Sequence, residues 1–196
     1  MQQQSEYQQP SEQQRQEQLI TYVDPHGNYT LQYPQSWKVE YKKPTTLYDF
    51  PTTQFRNPDS VSLVSIEMSH AELTKQQFED GFLIYYPLLL SERFDGIKVE
   101  NKTFGRYRID GHPAGSIVFT SPIDNTLGVS KGLFLSTILS NNQTISITYV
   151  SSNESYSDNI QDVETMIDSI QIKDGSERGR EIGVVNDETC SLSVTN

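Results

Sequence analysis

The sequence predicts an α+β fold in which an antiparallel β-sheet meander is sandwiched by helices, an α/β/α arrangement. Three features of the 196-residue chain carry that expectation. Short runs that alternate, or that are rich in β-branched residues, recur between turn residues and read as strands. Two segments open with helix-capping signals and continue as an apolar stripe. One strand is apolar on both faces, so it needs cover on both.

In chain order, residues 29–33 and 37–41 alternate, and 61–68 is β-branched; these are the first strands. Thr74 with Gln77 three residues on forms a capping-box pair, and Leu73 and Phe78 stand at hydrophobic-staple positions. Phe78, Phe82 and Tyr85 then make a stripe down to about Pro87, where the helix is expected to kink or end. Strands follow at 97–103, 105–109, 115–120, 132–139 and 144–150. Asp110-Gly111 and Asn141-Asn142 separate strands with residues that tolerate positive φ, which tight hairpins need. Leu133, Phe134, Leu135, Ile138 and Leu139 place apolar groups on both faces of one central strand. A second helix is expected from Asp158, with Gln161 completing its capping pair and Ile160, Val163, Ile167 and Ile170 as its stripe.

The ends differ from this middle. Nine of the first eighteen residues are Gln, so 1–18 reads as a disordered tail or linker that buries too little to offset its ordering entropy. Residues 174–196 lack apolar period and read as a loose C-terminal tail, which leaves 19–173 as the domain. With 26 acids against 15 bases, the chain has no basic stripe for phosphates, and nucleic acid is not an expected partner. The longest apolar run, 82–90, is broken by Pro87 and is less than half of a membrane span. A single cysteine, Cys190, excludes an internal disulfide.

Motif chemistry is sparse. Ser130 sits in a G-x-S-x-G match, yet His26, His70 and His112 all precede it and a β-rich run follows, the reverse of the hydrolase elbow. The histidines stand more than forty residues apart without metal-ligand spacing, so no catalytic, cofactor or metal residue is assigned. Four Asn-x-Ser/Thr sequons, at Asn28, Asn101, Asn142 and Asn153, fall in expected turns or strand ends and point toward export. Against export, no hydrophobic signal stretch follows Met1; a start after a removed signal or anchor would reconcile the two.

The segment Tyr29-Thr-Leu-Gln-Tyr33-Pro34-Gln-Ser-Trp37 resembles the opening of PsbP-like domains, whose fold is related to that of Mog1. The resemblance continues through the helix from Lys75, through Ile109-Asp-Gly-His-Pro-Ala114, similar to that family's (I/V)-D-G-x-P-A hairpin, and to a last helix ending near Ile170. It spans roughly residues 20–172. It implies a first hairpin made by the strands on either side of the Tyr-Pro-x-x-Trp turn, a helix-covered antiparallel sheet, and no established catalytic centre. The namesake supports calcium and chloride retention in photosystem II. Its lysine-rich docking face has no counterpart in this acidic chain, so that role is not transferred.

The favoured expectation is a noncatalytic PsbP-like binding or assembly module, extracytoplasmic or at a cell surface, with a protein or peptide partner and no cofactor. Two alternatives stay open: an enzyme of hydrolase type whose carboxylate or hydroxyl site is assembled by the fold, or a cytosolic Mog1-like GTPase regulator if residue 1 is the true start. The expected partner-binding segment is the long Pro-punctuated connection 42–60, which carries Leu47, Tyr48, Phe50 and Phe55. The competing reading is that these rings fold back and cap the sheet.

Overall fold

The computed structural model describes residues 18–46, 50–94, 96–121, 131–140 and 142–173. The expected tails, apart from Gln18, lie outside these residues, as do Leu47, Tyr48, Ser130 and Asn141. Gln18 accepts a backbone hydrogen bond from Gln35 N at 2.9 Å.

The chain runs β1 (Leu19–Val23), β2 (Tyr29–Pro34), β3 (Lys38–Lys42), β4 (Thr52–Asn57), β5 (Ser62–His70), α1 (Lys75–Arg93), β6 (Lys98–Ile109), β7 (His112–Thr120), β8 (Lys131–Ile138), β9 (Gln143–Ser151), α2 (Asn153–Asp168) and β10 (Gln171–Ile172). Seven strands form one antiparallel sheet in the order β3-β4-β5-β9-β8-β7-β6, and β1-β2-β10 form a small second sheet. The apolar alternation of β8 sets the layers. Leu133, Leu135 and Leu139 join a core with Tyr29, Leu31 and Tyr33 of the small sheet and Val163, Met166 and Ile167 of α2. Phe134 and Ile138, on the other face, join Phe78, Phe82 and Leu90 of α1. The large sheet is therefore covered by α1 on one side and by α2 with the small sheet on the other.

The turns follow their residue types. Asp110 (φ 47°) and Gly111 (φ 77°) close the two-residue β6–β7 hairpin, the doubly left-handed turn that matches strand twist. Asn142 (φ 59°) closes β8–β9, its N–H donating to Leu139 O. Residues 98–109 make one strand and not two, because Gly105 (φ 80°) lies in a bulge that bends β6 without ending it.

Three expectations are corrected. The strands flanking Pro34 and Trp37 do not form a hairpin: β2 pairs with β1 and β10, whereas β3 pairs with β4. Tyr29, Leu31 and Tyr33 bury against the face of the large sheet, and a turn closed by Trp37 N–H to Pro34 O (3.0 Å) carries the chain between sheets. The connection 42–60 contains β4, which Pro51 and Pro58 bound from outside, so the prolines mark strand ends and not a loop. α2 starts five residues before Asp158, where the Ser152 hydroxyl accepts from Ser155 N at 3.2 Å; an earlier cap pre-empts the later one.

Candidate functional site

α1 has two apolar faces, and only one of them is used. Its start is the expected capping box: Gln77 N–H donates to Thr74 Oγ1 (3.2 Å) and Thr74 N–H donates to Gln77 Oε1 (2.9 Å). Its end is not where Pro87 would put it. Proline has no N–H for the carbonyl four residues back, which is Leu83 O, and Lys102 Nζ of β6 donates to that oxygen at 2.8 Å. An ammonium from the sheet thus replaces the missing helical bond. The helix continues to Arg93, and Ser91 Oγ donates back to Pro87 O at 2.8 Å.

The inner face is seated by aromatic packing. Phe82 lies over the Gly115 backbone so closely that a Cβ there would stand 2.4 Å from the ring. Tyr86 stacks on Phe82 at 4.6 Å between centroids and approaches Phe134 at 5.4 Å. Burial pushes the Tyr86 hydroxyl pKa above the usual tyrosine value, opposed in part by its hydrogen bond to Ser136. Tyr85, expected in this stripe, points outward instead; Tyr86 takes its place.

The outer face carries Ile84, Tyr85, Leu88 and Leu89, each between 54% and 63% exposed, with Leu73 44% exposed beside the N-cap. Leu73, Gln77, Gly81, Ile84, Tyr85 and Leu89 line a groove of about 590 Å³ along the helix. Large contiguous apolar exposure of this kind marks interaction surfaces in monomers. The sequence held the signal: from Phe82 to Leu90 every residue is apolar, and a helix cannot bury all sides of such a run against one sheet.

A second groove, of about 570 Å³, is polar. It lies beside β3 and is lined by Glu40, Lys42, Lys43, Phe50, Glu67 and Arg93. Arg93 grips Glu67 with two donors, at 2.8 and 3.4 Å.

Of the four residues expected to engage a partner, Leu47 and Tyr48 lie outside the described residues, and Phe50 and Phe55 have different surroundings. Phe55 lies in β4, fully buried, with its ring 5.4 Å from Tyr22 and 5.1 Å from Tyr33; it is core, because alternation in β4 aims Thr53 and Phe55 inward. Phe50 is 51% exposed in the polar groove. Of the sequons, Asn101, Asn142 and Asn153 are exposed, whereas the Asn28 amide donates to Asp24 Oδ2 (2.9 Å) in the β1–β2 turn. His26, in the same turn, contacts Tyr41 Oη through Nε2 at 2.7 Å. Among the described residues, no group of three or more His, Cys, Asp and Glu is placed to hold a metal ion, and no helix is long and apolar enough to cross a membrane.

Three solved structures share this architecture. Cyanobacterial PsbP (CyanoP) from Synechocystis sp. PCC 6803 is 14% identical, with a TM-score of 0.57 over 79% of this chain and 92% of its own. The Saccharomyces cerevisiae Ran-binding protein Mog1p is 10% identical, with a TM-score of 0.52 over 82% of this chain and 98% of its own. This chain has the PsbP/Mog1-type fold. LpqN of Mycobacterium tuberculosis, involved in cell envelope biogenesis, is 7% identical with a TM-score of 0.56, over 80% of this chain and 91% of its own. No family model matches the sequence, and no curated protein matches it. At these identities the PsbP/Mog1-type fold is what is shared, and the outer face of α1 has to be read from its own residues.

Proposed function

We propose that this domain is a noncatalytic binding or assembly module that captures a protein partner on the outer face of α1, and that it works outside the cytoplasm. The observation that carries the reading is the run of four half-exposed apolar side chains, Ile84, Tyr85, Leu88 and Leu89, on a helix whose opposite face already anchors it to the sheet. Leaving that surface in water is unfavourable by about 25 cal/mol per Å² of apolar area that a partner could cover. The neighbours support the class of function: Mog1p is a Ran-binding protein, and LpqN is involved in cell envelope biogenesis. The exposed sequons Asn101, Asn142 and Asn153 support the location.

A photo-crosslinking residue at Leu88 of the full chain, expressed in its native cells, tests the reading. It should yield an adduct of discrete mass, whereas the same group at Asn153 on α2 yields none. Loss of discrimination between the two positions overturns the proposal. Fractionation of the chain with the cytoplasmic proteins of its native cells would overturn the location.

A further inference from the structure

The outer face of α1 has a shape as well as an area. Gln77, Gly81, Ile84 and Leu88 recur at helical spacing along its centre, and Tyr85 and Leu89 flank them. Gly81 makes room for its neighbour: a Cβ there would stand 2.9 and 3.2 Å from the Tyr85 ring, so that ring packs over the glycine. Together these residues form a seam from Leu73 to Leu89, about 24 Å at helical rise. That length suits an α-helix laid alongside it, its apolar side chains on Ile84, Tyr85 and Leu88.

Charge decides what kind of helix. Each described base near the seam already has a partner: Lys75 Nζ lies 3.8 Å from Glu79, Arg93 is held by Glu67, and Lys102 caps Leu83 O. The acids at its margins face out. Glu72, Asp80 and Glu92 are all exposed, and among the described residues Asp80 accepts from the neutral amide of Gln76 alone, at 2.8 Å. Asp80 and Glu92 stand on the outer face near its two ends, about 18 Å apart along the axis. The whole chain adds a long-range field of the same sign, with a formal charge of −11. An anionic bilayer or an acidic protein is repelled by this margin. A second copy would bring the same acids to the same seam.

We infer that the occupant is a positively charged amphipathic helix of a protein partner, its apolar stripe on Ile84, Tyr85, Leu88 and Leu89 and its Lys or Arg residues over Asp80 and Glu92. The inference rests on the proposed use of this face for binding and adds the chemistry of what binds.

The test uses the full chain and two synthetic peptides of about eighteen residues, enough to span the seam. One is an amphipathic Leu/Lys helix, the other its Leu/Glu counterpart. The Leu/Lys peptide should bind and gain helical circular dichroism. Its affinity should fall about tenfold or more with Asp80→Lys/Glu92→Lys, and likewise with Ile84→Ser/Leu88→Ser, but not with Glu154→Lys on α2. Thermal midpoints identify any variant that does not fold, in which case Leu88→Gln replaces it. Equal loss with Glu154→Lys would show diffuse attraction to an acidic chain and overturn the inference. So would equal binding of the Leu/Glu peptide, concentration-dependent self-association abolished by Ile84→Ser/Leu88→Ser, or binding to phosphatidylcholine vesicles abolished by the same pair. A discrete Leu88 adduct in cells combined with no preference for the Leu/Lys peptide leaves the binding face standing and removes only its assigned partner chemistry.

Discussion

Gly115→Ala is the sharpest test of how α1 is seated, and so of which of its faces remains outside. The new Cβ would stand 2.4 Å from Cδ1 and Cε1 of Phe82, where ordinary contact begins near 3.4 Å, so about 1 Å must be found. The ring has little freedom to supply it. Phe82 is fully buried, with Tyr86 stacked at 4.6 Å, Phe78 at 5.8 Å and Phe104 at 6.0 Å. Overpacking of this kind costs about 1–3 kcal/mol. The lower chain entropy of Ala in a strand offsets about 0.5–1 kcal/mol. The net expectation is a loss of about 1–2 kcal/mol, read from the urea midpoint at unchanged slope. A double-mutant cycle isolates the contact: in the Phe82→Leu background the Gly115→Ala loss should shrink by about 1 kcal/mol, because the flexible aliphatic group can yield. If Gly115→Ala is neutral in the wild-type background, or additive with Phe82→Leu, then α1 does not rest on β7 as described and the outward assignment of Ile84 and Leu88 fails with it.

Trp37 is buried, and its indole N–H finds no acceptor among the described residues. Trp37→Ala should therefore cost about 3–5 kcal/mol by cavity formation, while Trp37→Phe should cost clearly less, because it removes an unsatisfied donor whose burial is unfavourable by about 1–3 kcal/mol; equal losses in chemical denaturation would refute this. Lys102→Met should destabilise by about 1 kcal/mol, a figure kept low by solvent exposure, and Pro87→Ala should abolish most of that effect by restoring a helical donor to Leu83 O; undiminished loss in the double variant would show that the ammonium has another role. Burial raises the pKa of Tyr29, Tyr86 and Tyr149, and pushes Tyr156 up to about 12 from the usual 10.0. A raised folded value means stability that is whole below the unfolded pKa and is lost as pH climbs toward the folded one. Thermal midpoints should accordingly hold below pH 10 and fall between 10 and 12, with Tyr156→Phe making the fall shallower; a midpoint independent of pH across that window would contradict the burial.

The sequence was most legible where one residue acts on its own neighbours. The Thr74/Gln77 capping box and the Asp110-Gly111 turn are satisfied within three or four residues, so their pattern needs no knowledge of the fold. It was least legible where a distant group changes the meaning of a local signal. Pro87 reads as a helix end because the donor that replaces its missing bond, Lys102, is fifteen residues away on a strand. Pro51 and Pro58 read as loop punctuation because nothing local tells a bounded strand from a broken one, and β4 is a strand only through its ladder with β3 and β5. The small sheet was missed for a similar reason. β10 has two residues, and its pairing partner β2 lies more than 130 positions earlier.

The outer face of α1 was hidden by a different ambiguity. A run in which nearly every residue is apolar has no period, so it cannot announce which side is core, and the stripe Phe78, Phe82, Tyr85 fits the run as well as Phe78, Phe82, Tyr86 does. The choice is made by the sheet. Gly115 opens a slot for Phe82, Phe134 receives Tyr86, and those two contacts fix the helix rotation so that Ile84, Tyr85 and Leu88 face away. Polar residues on those three positions would leave every inner contact intact and would lower the aggregation risk of the free chain. Folding therefore gives no reason for their apolar character. Since the residues that seat the helix and the residues it displays are separate sets, substitutions at Ile84 and Leu88 should remove the proposed binding without unfolding the domain. That separation is what makes the proposed docking face open to a clean experimental test.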